Sequence, residues 1–120
     1  VEPQQPPVPG YLCKSLNSTD MEDGDYIAQF NLMINDNTGH NDDVANISVW
    51  FGDEPVAYKN IRRHDFINPH SYQFFNLDFS ANGRRNQMIS FRTYWYANSY
   101  LKEDRVEVIP LESAGSVENI

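Results

Sequence analysis

Alternation with a period of two dominates this chain. In YIAQFNLMI, Tyr26, Ala28, Phe30, Leu32 and Ile34 hold one set of alternate positions and Ile27, Gln29, Asn31 and Met33 the other. Side chains leave a strand alternately from its two faces, so this pattern specifies a strand with one well-buried face. NISVWF sets Ile47, Val49 and Phe51 against Asn46, Ser48 and Trp50; QFFNLDF sets Phe75, Leu77 and Phe79 against Phe74, Asn76 and Asp78. ISFRTYW sets Ile89, Phe91, Thr93 and Trp95 against Ser90, Arg92, Tyr94 and Tyr96, and DRVEVIP sets Val106 and Val108 against Arg105 and Glu107. Shorter strands are expected at Val56–Ile61 and near Tyr11–Leu16.

Turn formers separate these runs: Asp23-Gly24-Asp25, Asn35–Gly39, Gly52–Pro55, Asn68-Pro69 and Asn82-Gly83. IRRHDFIN alone has weak helical character, enough for a single turn. Strands repeating at short intervals without intervening helices predict an all-β fold. The expectation is an antiparallel two-sheet β-sandwich of jelly-roll type with about seven or eight strands. A chain of 120 residues suffices for one such domain and not for two. Residues 1–10 hold four of the seven prolines and read as an N-terminal linker. Residues 11–110 form the binding domain, and 111–120, which follow Pro110, read as a flexible tail. Both ends suggest joints in a larger protein.

Charge narrows the partners. Nine Lys and Arg against seventeen Asp and Glu leave a net charge of −8, the wrong sign for nucleic acid, whose phosphates require a basic footprint. No apolar run approaches the roughly 20 residues of a membrane helix, so insertion into a bilayer is not expected. Cys13 is the sole cysteine, which excludes an internal disulfide framework; beside a strand it is expected to pack as a small hydrophobe. Two N-x-S/T sequons, at Asn17 and Asn46, would be usable on a eukaryotic secretory route.

Catalytic signatures are sparse. There is no Gly-rich phosphate loop, no G-x-S-x-G and no H-E-x-x-H, and His40, His64 and His70 fall in expected loops at spacings that match no standard zinc motif. Glycoside hydrolysis needs two carboxylates with separated pKa values, and neither Asp78 nor Asp104 lies in an apolar setting that would raise one. The chain therefore reads as a non-enzyme.

The strongest local signal is RTYWYANSY, residues 92–100, where four aromatics in nine residues exceed the needs of one core face. With Trp95 inward, Arg92, Tyr94 and Tyr96 form a row on the opposite face, which Trp50 would extend, with Tyr58 and Phe74 as weaker additions. Aromatic rings stack on the C–H faces of a pyranose while Tyr and Arg bond its hydroxyls. The same rings could instead pack in a protein interface or under a loop. The loop NDNTGHNDD, residues 35–43, offers the oxygen ligands that calcium takes in sets of about six to eight, although its spacing is not that of an EF-hand.

At this point the pattern becomes familiar. DYIAQFNLMINDNTGHNDDVANISVWF, followed by IRRHDF, SYQFFNLDF and ISFRTYWYANSYLKEDRVEVI, resembles the β-sandwich carbohydrate-binding modules, and more broadly the galactose-binding-domain-like folds, of secreted polysaccharide-degrading enzymes and surface proteins. The likeness rests on a strand ending in an Asn/Asp loop, a D-F before a turn, and strands of the form Y-Q-x-F, F-R-x-Y-W-Y and D-R-V-x-V, over residues 26–109. It implies a non-catalytic glycan-binding role, secreted or at the cell surface, with a host enzyme or surface protein in the same chain. Its sheet-face version would use Arg92, Tyr94 and Tyr96; its loop version would use Trp95, Asn98 and Tyr100 beside Asp36 and Asn37. It further implies a structural calcium, for which Asp36, Asp42, Asp43 and Asp104 are the nearest acids. A protein-interaction or assembly domain on the same sandwich is the alternative. The departure from the pattern is the proline-rich opening, where a fuller first strand would be expected.

Overall fold

A computed structural model describes residues 10–17, 21–84 and 86–111, with the backbone alone for residues 14–17. The expected linker therefore lies outside the described residues except at Gly10, where the first strand begins, and the expected tail lies outside them except at Leu111.

Seven strands form: β1 (Gly10–Asn17), β2 (Asp25–Ile34), β3 (Asp43–Phe51), β4 (Glu54–Arg62), β5 (Gln73–Ser80), β6 (Met88–Trp95) and β7 (Leu101–Pro110). They build a four-stranded sheet in the order β1-β6-β3-β4 and a three-stranded sheet in the order β5-β2-β7, with every pairing antiparallel. Only β3 and β4 are consecutive neighbours in one sheet. Each other link carries the chain across to the opposite sheet, which is the wrapped connectivity of a jelly roll. The weakly helical segment is one 3-10 turn, Arg63–Asp65, whose Asp65 carboxylate accepts from the Arg62 N–H at 2.8 Å.

The alternating positions face each other across the two sheets. Ala28, Phe30, Leu32 and Ile34 of β2 meet Ile47, Val49 and Phe51 of β3 and Ile89, Phe91 and Trp95 of β6 in one buried cluster. Ring edges meet ring faces through it, Phe91 against Phe30 at 6.5 Å and against Phe79 at 6.3 Å. Burial of each such side chain contributes about 1.5–3 kcal/mol. The buried polar atoms of this layer find partners. Trp95 Nε1 donates to the Ser99 carbonyl at 3.0 Å, and Thr93, 1% exposed, donates its hydroxyl to Glu103 of β7 at 2.5 Å.

Three details of the chain set up the outer face of the larger sheet. The β3–β4 hairpin turns on Gly52-Asp53, where only Gly52 takes a positive φ (59°), as a two-residue turn with glycine in the first place requires. Trp50 pairs with Pro55, and a register shift between Val49 and Trp50 sets Val49 opposite Ala57, a bulge of the kind that re-aims adjacent side chains. Pro55 has no N–H, and β4 as an edge strand tolerates that loss. Among the described residues no helix is long and apolar enough to cross a membrane.

Candidate functional site

Register fixes which side chains share the outer face of the four-stranded sheet. Tyr11 of β1 pairs with Tyr94 of β6, Tyr94 with Asn46 of β3, and Asn46 with Asn60 of β4. The next row on this face runs Cys13, Arg92, Ser48, Tyr58, and the one after it places Ser90 opposite Trp50. Arg92, Tyr94, Tyr96 and Trp50 are thus brought to one face, as the alternation predicts. Cys13 departs from expectation: it is exposed, because the β1–β6 register puts it on this outer side opposite Arg92.

Packing within the face comes in two parts. Tyr94 is half-buried between two ring edges, Tyr11 at 4.8 Å and Tyr96 at 5.1 Å. Trp50 and Arg92 each bond a serine that is almost inaccessible. Trp50 Nε1 donates to Ser48 Oγ at 2.8 Å, Arg92 Nε donates to Ser90 Oγ at 3.2 Å, and the guanidinium stands 4.0 Å from the centre of the indole. One face of Trp50 is therefore already covered. The rings left open are Tyr58, 73% exposed, Tyr11, 57% exposed, and the edge of Tyr96. Tyr58 is the most exposed of these aromatics, and the sequence had marked it only as a weaker addition.

Amides fill the space between the rings. Asn60 Oδ1 accepts from Asn46 Nδ2 at 2.9 Å and from the Tyr96 hydroxyl at 3.3 Å. Among the described residues this leaves Asn46 Oδ1 and Asn60 Nδ2 without partners, one acceptor and one donor beside the tyrosines. Burial, with the negative charge of Asp43 and the neighbouring Tyr94 and Tyr11, holds the Tyr96 hydroxyl above the ordinary phenol range. At neutral pH it keeps its proton and can both donate and accept. The result is a shallow platform of rings, amides and one guanidinium.

The remaining expected site residues lie at one end of the sandwich. Asn98 donates to Asp42 Oδ2 and to the Asp43 carbonyl, each at 2.8 Å, and Tyr100 is half-buried with the Lys102 ammonium 5.9 Å from its ring centre. Trp95 is core, 4% exposed, so the loop arrangement lacks its ring. The centre of this end is Arg63, which the sequence reading passed over. Its Nε and Nη2 clamp the two oxygens of Asp42 at 2.8 and 3.2 Å, Nη1 donates to the Asp36 carbonyl at 3.0 Å, and Nη2 donates to the Asn98 carbonyl at 2.8 Å. One guanidinium thereby ties together the loops after β2, β4 and β6.

The acids expected around calcium are engaged separately. Asp42 holds Arg63, Asp36 accepts from the Thr38 hydroxyl at 2.6 Å, Asp43 pairs with Arg62 at 3.4 Å, and Asp104 bonds both Arg105 and Asn31. No three or more His, Cys, Asp or Glu side chains gather as a metal site among the described residues. The hydrogen bonds from Arg63 lower the pKa of Asp42. A carboxylate depressed on folding stabilises the native state above its unfolded pKa of about 4 and loses that contribution as pH falls through the lowered folded value. Wild type should therefore exceed Asp42→Asn in melting temperature at neutral pH, with the gap shrinking below about pH 4 as the Asp42 carboxyl protonates. A gap that stayed constant on acidification would show that charge plays no part in this knot.

No family model matches this chain, and no curated protein does either.

Proposed function

We propose that the protein is a non-catalytic glycan-binding module that uses the outer face of its four-stranded sheet to hold a polysaccharide, as part of a larger secreted or cell-surface protein. The observation that carries this reading is the platform itself: open tyrosine rings at Tyr11, Tyr58 and Tyr96, interleaved with Asn46 Oδ1 and Asn60 Nδ2, which have no partner among the described residues. Rings of this kind remove the apolar C–H face of a sugar from water, and the amides and the Tyr96 hydroxyl answer its hydroxyls. A shallow face suits an extended chain of sugars better than a small apolar ligand, which needs a concave pocket. The earlier resemblance to carbohydrate-binding modules points the same way, with Tyr94 and Trp50 buttressing the open rings and Arg92 lying between them.

A glycan array followed by calorimetric titration tests the proposal. Tyr58→Ala and Tyr96→Ala should each weaken binding by about 1–3 kcal/mol, the size of an interfacial hot spot. Tyr58 projects into solvent, so its loss should hardly move the melting temperature, whereas Tyr96 also packs on Tyr94 and bonds Asn60, so its loss should lower it modestly. Failure of every glycan on the array to bind would end the proposal. Self-association in sedimentation that disappeared with these substitutions would favour an assembly surface instead.

A further inference from the structure

Arg92 differs from the other described arginines. Arg62 pairs with Asp43, Arg63 with Asp42, Arg84 with Glu54, and Arg105 with both Asp104 and Glu107. Arg92, in a chain of net charge −8, has no carboxylate partner among the described residues. Its guanidinium is already placed: Nε is held by Ser90 at 3.2 Å and the plane rests on Trp50 at 4.0 Å. Those contacts fix the side chain in one geometry while leaving both Nη groups without a described acceptor. Its place is near the middle of the platform, beside Tyr94 on β6 and two strands from Tyr58 on β4, hence about 10 Å from it.

We propose that the platform selects acidic glycans, with Arg92 receiving the carboxylate of a uronic acid residue. This inference rests on the glycan-binding reading above and specifies the class of sugar. A planar guanidinium presents a fork of two N–H donors that matches the two oxygens of a carboxylate. Lying on an indole removes part of its hydration, so an arriving anion displaces less water. The spacing to Tyr58 lets one sugar stack while a neighbouring residue in the same chain bears the acid. The acid near the tyrosines, Asp43, is paired with Arg62 and not with Arg92. A uronate supplies the cation's counter-charge at short range, while the net charge of −8 opposes a polyanion at long range and so confines the contact to Arg92.

Protein made without N-glycosylation, which keeps Asn46 unmodified, would be titrated with polygalacturonate, with its fully methyl-esterified form, with neutral glycans and with dextran sulfate. Polygalacturonate should bind about 10- to 100-fold more tightly than the ester, as expected for one charge-assisted bidentate contact. Arg92→Gln should abolish that preference, bringing acid and ester to the same affinity; Arg92→Lys should restore only part, because an ammonium lacks the fork. Equal affinity for acid and ester, or an unchanged preference in Arg92→Gln, would overturn the proposal while leaving the platform reading in place. Dextran sulfate binding as tightly as polygalacturonate would overturn it too, by showing a general response to polyanions. Binding to nothing in the panel would remove the platform reading along with it. The acid–ester comparison uses wild-type protein, so it remains decisive even if a variant folds poorly.

Discussion

Phe91→Ala is expected to destabilise the protein by about 3–5 kcal/mol, the usual cost of deleting a phenyl ring from a packed interior. Phe91 lies on β6, a strand paired on both sides, and is 2% exposed. Its ring is held edge-to-face by Phe30 and by Phe79. Both partners belong to the opposite sheet, so truncation opens a void between the layers that neither backbone can easily close. Chemical denaturation should show the lower midpoint with little change in slope. The contrast lies on the same strand: Arg92 is one residue away, faces solvent, and in Arg92→Gln should leave stability within about 0.5–1 kcal/mol of wild type. A Phe91→Ala protein as stable as wild type would mean that the two sheets do not pack through this ring.

The same strand shows what was legible in the sequence. Alternation is a local property, so Phe91, Thr93 and Trp95 could be assigned inward and Arg92 and Tyr94 outward without any knowledge of neighbours. The partner of Thr93 could not be read in this way. Glu103 reaches it only because the β2–β7 register shifts at Asn31/Leu32, and a bulge leaves no reliable local mark. The stacking of Arg92 on Trp50 likewise depends on β6 lying beside β3, a pairing between segments far apart in sequence. The exposure of Tyr58 was not legible either, because VAYKN follows Pro55 and carries Lys59 and Asn60, which dilute the strand signal on what proves to be an edge.

The acidic loop holds a further contact that a local reading misses. Its composition, NDNTGHNDD, suggests oxygen ligands for a cation. Asp42 and the Asp36 carbonyl in that loop also hold a positive charge of the protein's own, Arg63. A signal for this was present. Counting the β3–β4 hairpin outward from its Gly52-Asp53 turn sets Asp43 opposite Arg62, and the observed register keeps that pair because its two shifts compensate. One step further brings Asp42 to Arg63, whose N–H also bonds the Asp42 carbonyl at 2.9 Å. Counting from a recognised turn was more informative here than counting acids.

Arg63→Ala should accordingly be the most disruptive change outside the hydrophobic core, costing about 2–3 kcal/mol. Breaking a fully buried ion pair costs more, but Asp42 remains 37% exposed at its side chain and would regain water once its partner left. Arg63, at 12%, is well enclosed, and its loss also strips donors from the Asp36 and Asn98 carbonyls. For a domain of this size the expected fall in melting temperature is roughly 10–20 °C. Arg63→Lys should recover only part of it, since one ammonium cannot clamp both Asp42 oxygens and reach two carbonyls in separate loops. Hydrogen exchange gives the structural counterpart: faster exchange in residues 35–43 and 96–100, with the centre of β2 and β6 still protected. A fall of under about 3 °C would mean that the three loops hold one another without the guanidinium. Tyr96 stands at the end of β6 next to this knot, its backbone N–H bonded to the Val44 carbonyl at 3.3 Å. If the proposed function holds, loosening the loops should weaken glycan binding as well, through lost positioning of a ring that Arg63 does not bond.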